Sequence, residues 1–180
     1  MIISWGLMLP SGVISARFLK HRKDALWFKI HSKLQPFGLL IAIIGWGIAL
    51  ARFDVFSNGP KLSLMHGSLG MLTMVLGIMQ PINAFFRPHV AKDHPKTFNR
   101  LCWEYLHKGS GYTAICTGMI TVSLGCLLAS SVNLPGLGIA WACVVVGLVS
   151  FILWAILDKK REMVGMDIVQ NALGAVELQN

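Results

Sequence analysis

Long uncharged stretches alternate with short charged ones along this chain. Four runs contain no Asp, Glu, Lys or Arg, and they cover residues 1–16, 34–51, 62–86 and 109–157. A helix needs roughly 20 apolar residues to cross the hydrocarbon core of a bilayer. The last run is more than twice that length, and SSVNLPG in its middle carries a proline and a glycine that interrupt helices. The pattern predicts four full membrane spans, at about residues 31–52, 62–86, 103–130 and 135–157.

The first run predicts a shorter helix, over about residues 1–19. Its uncharged part covers about 24 Å at the rise of an α-helix, less than the bilayer core, and Pro10 lies within it. It has neither a charged leader nor a small-residue cleavage site, so it does not match a secretory signal. We expect it to be the second half of a longer helix.

Composition supports a membrane protein. Hydrophobic residues make up 54% of the chain, charged residues only 13%, and the mean hydropathy is +0.62, which is too apolar for a soluble domain of this size. We therefore predict an all-α integral membrane bundle with four full transmembrane helices and a short or truncated first helix. Residues 1–157 would form the bundle and residues 158–180 a cytosolic tail.

The distribution of basic residues predicts the orientation. A net charge of +8 would suit a nucleic-acid partner, but all except two of the 16 Lys and Arg fall on one side when the spans alternate. Only Arg52 and Lys61 fall opposite. The positive-inside rule then places the basic loops and the C-terminus of this multi-pass protein in the cytosol. We expect membrane lipid, with anionic head groups, as a partner and no nucleic acid.

Three of the six histidines stand at or just inside the start of different spans, namely His31, His66 and His107. The other three, His21, His89 and His94, fall in charged loops and are expected on the surface. Steps of four and three along each helix follow one face inward, and every such face is small or polar. The faces read Gln35, Gly38, Ala42, Gly45 and Ala49 after His31; Gly70, Thr73, Gly77, Gln80 and Ala84 after His66; and Gly111, Ala114, Gly118, Thr121 and Gly125 after His107.

Small residues at this spacing let membrane helices pack closely without any cofactor. Ionisable residues inside spans are costly, however, and tend to face a bundle interior where they serve a function. A flat macrocycle between helices needs imidazole at its iron and no bulky side chain beside the ring, so the three faces favour haem. Copper would recruit Met or Cys, which no face carries. Proton transfer through paired histidines remains an alternative.

Because successive spans run in opposite directions, the topology determines which histidines lie at the same depth in the membrane. The second and fourth spans run outward, so His31 and His107 lie at the same cytosolic depth and can face each other as the axial pair of a b-type haem. His66 starts a span that runs inward and lies near the opposite surface. Trp103 and Tyr105 are expected to be aromatic residues of the membrane interface.

Five segments together resemble the cytochrome b561 family, closest to the ferric-reductase-like branch that is often fused to a DOMON domain. In order they are WGLMLPSGVISARFLK, WFKIHSKLQPFGLLIAIIGW, HGSLGM, QPINAFFRP and WEYLHKGSGY, and the resemblance covers residues 4–125. It implies two b-type haems in a four-helix core, one near each membrane face. It also implies oxidoreductase chemistry, with electrons passing from cytosolic ascorbate to monodehydroascorbate or a ferric chelate.

By this resemblance His31 and His107 correspond to the inner haem pair and His66 to one ligand of the outer haem. The family's other outer ligand lies upstream of the WGLMLP segment, where this sequence has no histidine. We therefore expect an N-terminally incomplete form that binds one haem b, or two if the missing histidine is supplied. No residue is assigned a catalytic role.

The small faces and the topology also indicate the surroundings of a haem. The residues expected to line or hold haem are Gly38, Gly70, Gly111, Arg100 and Lys108. The two cations would bind propionates and attract an anionic, ascorbate-like reductant, although anchoring in lipid accounts for them equally well. Two rival interpretations are a haem-free bundle, such as a small transporter subunit or scaffold, and a single-haem form that needs a partner chain or a second copy.

Overall fold

The computed structural model of the chain is a bundle of five helices, and it describes residues 1–53, 60–89, 95–131, 134 and 136–177. The helices are α1 (Ile2–Phe18), α2 (Leu26–Arg52), α3 (Lys61–Phe85), α4 (Phe98–Ser131) and α5 (Gly136–Glu177). Helices α2 to α5 are long and apolar enough to cross a membrane, and α1 is a shorter apolar helix. Within the described ranges there is no β-strand. The predicted fold class is confirmed.

Helix boundaries follow the polar interruptions of the sequence. Helix α4 ends at Ser131 and α5 begins at Gly136, as the predicted division of the longest uncharged run requires. Pro135, on which that division partly relied, lies outside the described residues. Helix α5 continues without a break past Leu157 into the segment predicted as a cytosolic tail.

Consecutive helices run in opposite directions and pack side by side. The most extensive contact joins α3 to α4, the next joins α1 to α2, and α1 also reaches α5, so the helices form a closed ring. We call the end of the bundle where α1 ends and α2 begins the basic end, because it carries Arg17, Lys33, Arg87, Arg100 and Lys108. The other end, where α2 ends and α3 begins, is the opposite end.

The centre of the bundle is filled by a tryptophan from α1. Its first two turns, Ile2–Met8, form a π-helix that contacts α2, α4 and α5. Trp5 on this segment is only 3% exposed. A Cβ atom added to Gly77 would lie 2.9 Å from its Cη2 atom, and one added to Gly118 would lie 2.5 Å from its Cε3 atom. The two glycines therefore make room for the indole between α3 and α4.

The small faces predicted from the histidines turn toward the interior. Ala42, Thr73 and Ala114, one from each face, are all at most 2% exposed. Gly38 on α2 packs against Leu9 of α1, whose side chain would lie 3.0 Å from an added Cβ atom. Close packing of helices thus accounts for part of the small-residue pattern, as the cofactor-free interpretation requires.

Replacing Gly118 with alanine should lower the free energy of unfolding by about 1–3 kcal/mol, because the new methyl group would overlap the buried indole of Trp5. Equilibrium unfolding in mixed micelles with a denaturing detergent measures the change. Gly109→Ala is the matched control, since it lies on the same helix and an added Cβ atom there meets nothing within 4 Å. Equal losses in the two variants would contradict the central position of Trp5.

Candidate functional site

His31 on α2 is held by the backbone of α1. Its Nδ1 atom lies 3.1 Å from the carbonyl oxygen of Gly12. Because a carbonyl oxygen only accepts hydrogen bonds, Nδ1 is the donor and Nε2 keeps its lone pair. One turn further along α2, Gln35 donates to the carbonyl oxygen of Leu9 at 3.0 Å. Gly12 is needed here because a Cβ atom at that position would collide with the amide of Gln35.

His66 on α3 is held in the same way by α4. Its Nδ1 atom donates to the carbonyl oxygen of Thr121 over 2.9 Å, so its Nε2 atom also keeps a lone pair. Gly125 lies one turn beyond, and a Cβ atom there would be 2.8 Å from Cε1 of the imidazole. Sequence reasoning placed Gly125 on the small face of α4, and the structure shows that its partner is His66.

His107 on α4 has a different environment, formed by a ring and an amide. Its imidazole stacks on the indole of Trp103, with ring centroids 5.0 Å apart and planes 9° apart. The amide of Gln80 reaches from α3 to the same turn. In the orientation that satisfies both of its ends, the nitrogen lies 3.1 Å from the carbonyl oxygen and 3.3 Å from Nδ1 of His107, and the oxygen accepts from Ser110 and Gly111. In this orientation the amide nitrogen donates to Nδ1, so the hydrogen of the neutral ring is on Nε2. In the reverse orientation the amide oxygen accepts from Nδ1 and Nε2 keeps its lone pair, so the amide is compatible with either tautomer.

The three histidines lie at two depths, as the alternation of spans predicts. His107 is level with Gln80 near the end of α3, whereas His66 near the start of α3 is level with Thr121. Along α4, Thr121 lies about 21 Å beyond His107 at the rise of an α-helix. His31 lies against Gly12 near the end of α1 and is therefore also at the basic end. The structure therefore places His31 and His107 at the basic end and His66 at the opposite end.

The two cations predicted near the cofactor share one carboxylate. Arg100 donates to Glu104 at 3.2 Å and to the carbonyl oxygen of Pro88 at 3.1 Å. Lys108 donates to Glu104 at 3.2 Å, but its side chain is 54% exposed and keeps donors free for an anion at the surface. Lys96 also pairs with Glu104, whose side chain is 14% exposed. Sequence reasoning missed this carboxylate, although its spacing of four residues from Arg100 and from Lys108 is a helical ion-pair pattern.

The three glycines expected to line a cofactor all face neighbouring helices. Gly38 faces α1, as described above. A Cβ atom on Gly70 would lie 3.4 Å from Cγ2 of Thr121, and one on Gly111 would lie 3.2 Å from the side-chain amide of Gln80. Their role beside a haem stays a prediction.

One expectation about the other histidines was wrong. His21 was expected on the surface, yet its side chain is 13% exposed, and Nε2 lies 2.9 Å from Asp158 and 3.4 Å from Glu162. These acidic residues lie near the middle of α5, more than 130 positions along the chain from His21, so no local pattern could have revealed the contact. His89 is exposed as expected, and His94 lies outside the described residues.

The donor set at the basic end fits a b-type haem. Metal-bound histidines commonly donate their other ring nitrogen to a carbonyl or carboxylate, which fixes the tautomer and orients the ring. His31 has this arrangement, and His107 lies nearby on a different helix with its ring plane already fixed by stacking. A shallow groove lined by Val13, Ile14, Arg17, Phe18 and Tyr112 lies between α1 and α4.

These features define a class of protein, namely a multi-pass helical membrane protein with inward histidines suited to haem. The chain belongs to the eukaryotic cytochrome b561 family, whose family model matches residues 1–133. The family binds haem b, which agrees with the donor set described above.

Curated relatives confirm the family and the branch. A cytochrome b561, DM13 and DOMON domain-containing protein of Arabidopsis thaliana is 40% identical over 69% of this chain. A cytochrome b561 and DOMON domain-containing protein of the same plant is 33% identical over 68%. A Xenopus laevis protein provisionally named ferric-chelate reductase 1 is 27% identical over 96%. The chain spans only 14%, 29% and 28% of these relatives' lengths. No solved structure matches it significantly.

Replacing Gln80 with methionine should lower the free energy of unfolding by about 1–3 kcal/mol, because the variant keeps the volume but loses bonds to the turn that carries His107. Equilibrium unfolding in mixed micelles with a denaturing detergent measures this change in the free energy of unfolding. Gln170→Met, on the exposed part of α5, should change stability by less than about 0.5 kcal/mol. If both variants unfold like the wild type, the amide does not stabilise this turn.

Proposed function

We propose that this chain transports single electrons in a membrane by means of a haem b held between His31 and His107. The observation that supports the proposal is the hydrogen bond from the His31 Nδ1 atom to Gly12, with His107 at the same end of the bundle. A neutral imidazole with a free Nε2 lone pair is the form that binds iron. A haem b bound there would supply a reversible one-electron couple at its iron.

The residues around His31 and His107 hold the two side chains in position before any cofactor binds. Gly12 fixes the tautomer of His31, and Trp103 and Gln80 hold the turn that carries His107. Trp5 and the tightly packed helices around it exclude water from the bundle centre. A surrounding without water favours a site whose charge changes by a single electron, because little solvent reorganisation accompanies the change.

The basic end suits an anionic reductant. We assign it to the cytosol, because cytosolic loops of membrane proteins carry an excess of Lys and Arg. Lys108 and Arg17 are exposed there, and Arg17 lies in the groove between α1 and α4. Both are placed to attract ascorbate and to hold propionates. A ferric chelate or monodehydroascorbate is the proposed acceptor, and the name of the Xenopus relative supports the former.

We further propose that the chain by itself binds one haem. His66 offers a free Nε2 lone pair at the opposite end, but among the described residues no second histidine stands near it. A second haem would need an imidazole from a partner chain, a second copy or a preceding segment. Visible absorption of the purified protein distinguishes this single-haem form from a haem-free transporter subunit or scaffold, which would be colourless.

Replacing His107 with leucine should abolish the b-type absorption bands of the purified, reduced protein, because one axial ligand is lost. His31→Leu should have the same effect. His89→Leu is the control, since this histidine is exposed and lies in a loop. A colourless wild-type protein would support the haem-free bundle, and an unchanged spectrum in the His107 variant would exclude the assigned pair.

Haem content measured by the pyridine haemochrome method should approach one haem for each chain. Mixing with a candidate partner chain that supplies a histidine should raise the value toward two. Two haems bound to the isolated chain would refute the proposal that a second ligand is missing, and would show that His66 finds a partner within the chain or a homo-oligomer.

A further inference from the structure

The stacking partner of His107 is itself anchored on three sides. The indole Nε1 of Trp103 donates to the carbonyl oxygen of Asn83 on α3 at 2.6 Å. The guanidinium carbon of Arg100 lies 4.6 Å from the centre of the indole, and that of Arg87 lies 5.8 Å from it. Cations at these distances over an indole face are attracted by its π electrons. The indole is therefore fixed in position before it meets the imidazole.

An interface role does not explain this arrangement. An aromatic residue of the membrane interface has an exposed ring at the depth of the lipid head groups. Tyr105, two residues away, fits that description because it is 79% exposed. Trp103 is partly buried instead, and its ring lies against His107 within the bundle. The two aromatic residues that the sequence grouped together thus have different roles.

We infer that Trp103 is a positioning residue that sets the plane of the His107 imidazole at the inner haem. This inference rests on the proposed function, because it concerns a ligand of the haem proposed there. Residues four apart on a helix lie over one another, so the spacing of Trp103 and His107 suits stacking. With a haem bound, an imidazole pressed against this fixed ring would keep its plane. Outer residues of this kind commonly influence how tightly a metal group is held.

The orientation of an axial imidazole has a spectroscopic readout. In oxidised low-spin haem, the ring planes of the two axial ligands influence the splitting of the iron orbitals and hence the g values of the electron paramagnetic resonance spectrum. A change in helix stability alone would not move these g values. They therefore separate a positioning role from a purely structural one.

The experiment compares haem-loaded, full-chain variants purified from membranes. Trp103→Leu removes the stacking face, and Trp103→Phe keeps an aromatic face but loses the bond to Asn83. In the leucine variant we expect shifted or broadened low-spin g values and about tenfold weaker haem retention, at the lower end of outer-ligand effects. The phenylalanine variant should keep the wild-type g values. Trp154→Leu is the control, because Trp154 is 49% exposed on α5 and stacks on Phe151 instead.

The g values of the variants decide whether Trp103 positions the His107 imidazole. Altered g values in the leucine variant, with wild-type values in the phenylalanine and Trp154 variants, would support the inference. Wild-type values in the leucine variant, or equal loss in the leucine and phenylalanine variants, would overturn it and leave the proposed function intact. A wild-type protein without any low-spin haem signal would overturn both.

Discussion

The position of Trp5 between two glycines is the constraint on which the rest of the bundle depends. Its indole lies where Gly77 of α3 and Gly118 of α4 leave space, and it is almost completely buried. Because both helices close around one rigid side chain, their separation and their relative height are set together. The same register brings His66 level with Thr121 and Gln80 level with His107. A shift by one turn would break both contacts.

Backbone carbonyls hold two of the three histidines in the form that a metal requires. An imidazole in a span is costly unless its polar atoms are satisfied, and a helix carbonyl is an acceptor that is always available. Gly12 and Thr121 supply that acceptor for His31 and His66. The consequence is a lone pair directed away from the helix backbone at each end of the bundle. Gly125 leaves room for the ring of His66, and Gly12 leaves room for the Gln35 amide one turn from His31.

The basic end combines two uses of positive charge that the sequence could not separate. Arg100 is directed inward, where it pairs with Glu104 and lies over Trp103. Lys108 pairs with the same carboxylate but remains largely exposed. One cation therefore organises the environment of His107, and the other stays accessible to an anion or to lipid head groups. The ion pair of the exposed Lys108 contributes little to stability.

The sequence by itself determined the number of spans, the small faces and the depths of the three histidines. These follow from uncharged length, helical spacing and alternation of direction, which are local properties. Only the tertiary structure decided that Trp5 fills the centre, that Gln80 reaches His107 and that His21 pairs with Asp158. Such contacts join residues far apart in the chain. They depend on the register and rotation of neighbouring helices, which hydrophobic patterns leave undetermined because a bilayer-facing helix is apolar on nearly every side.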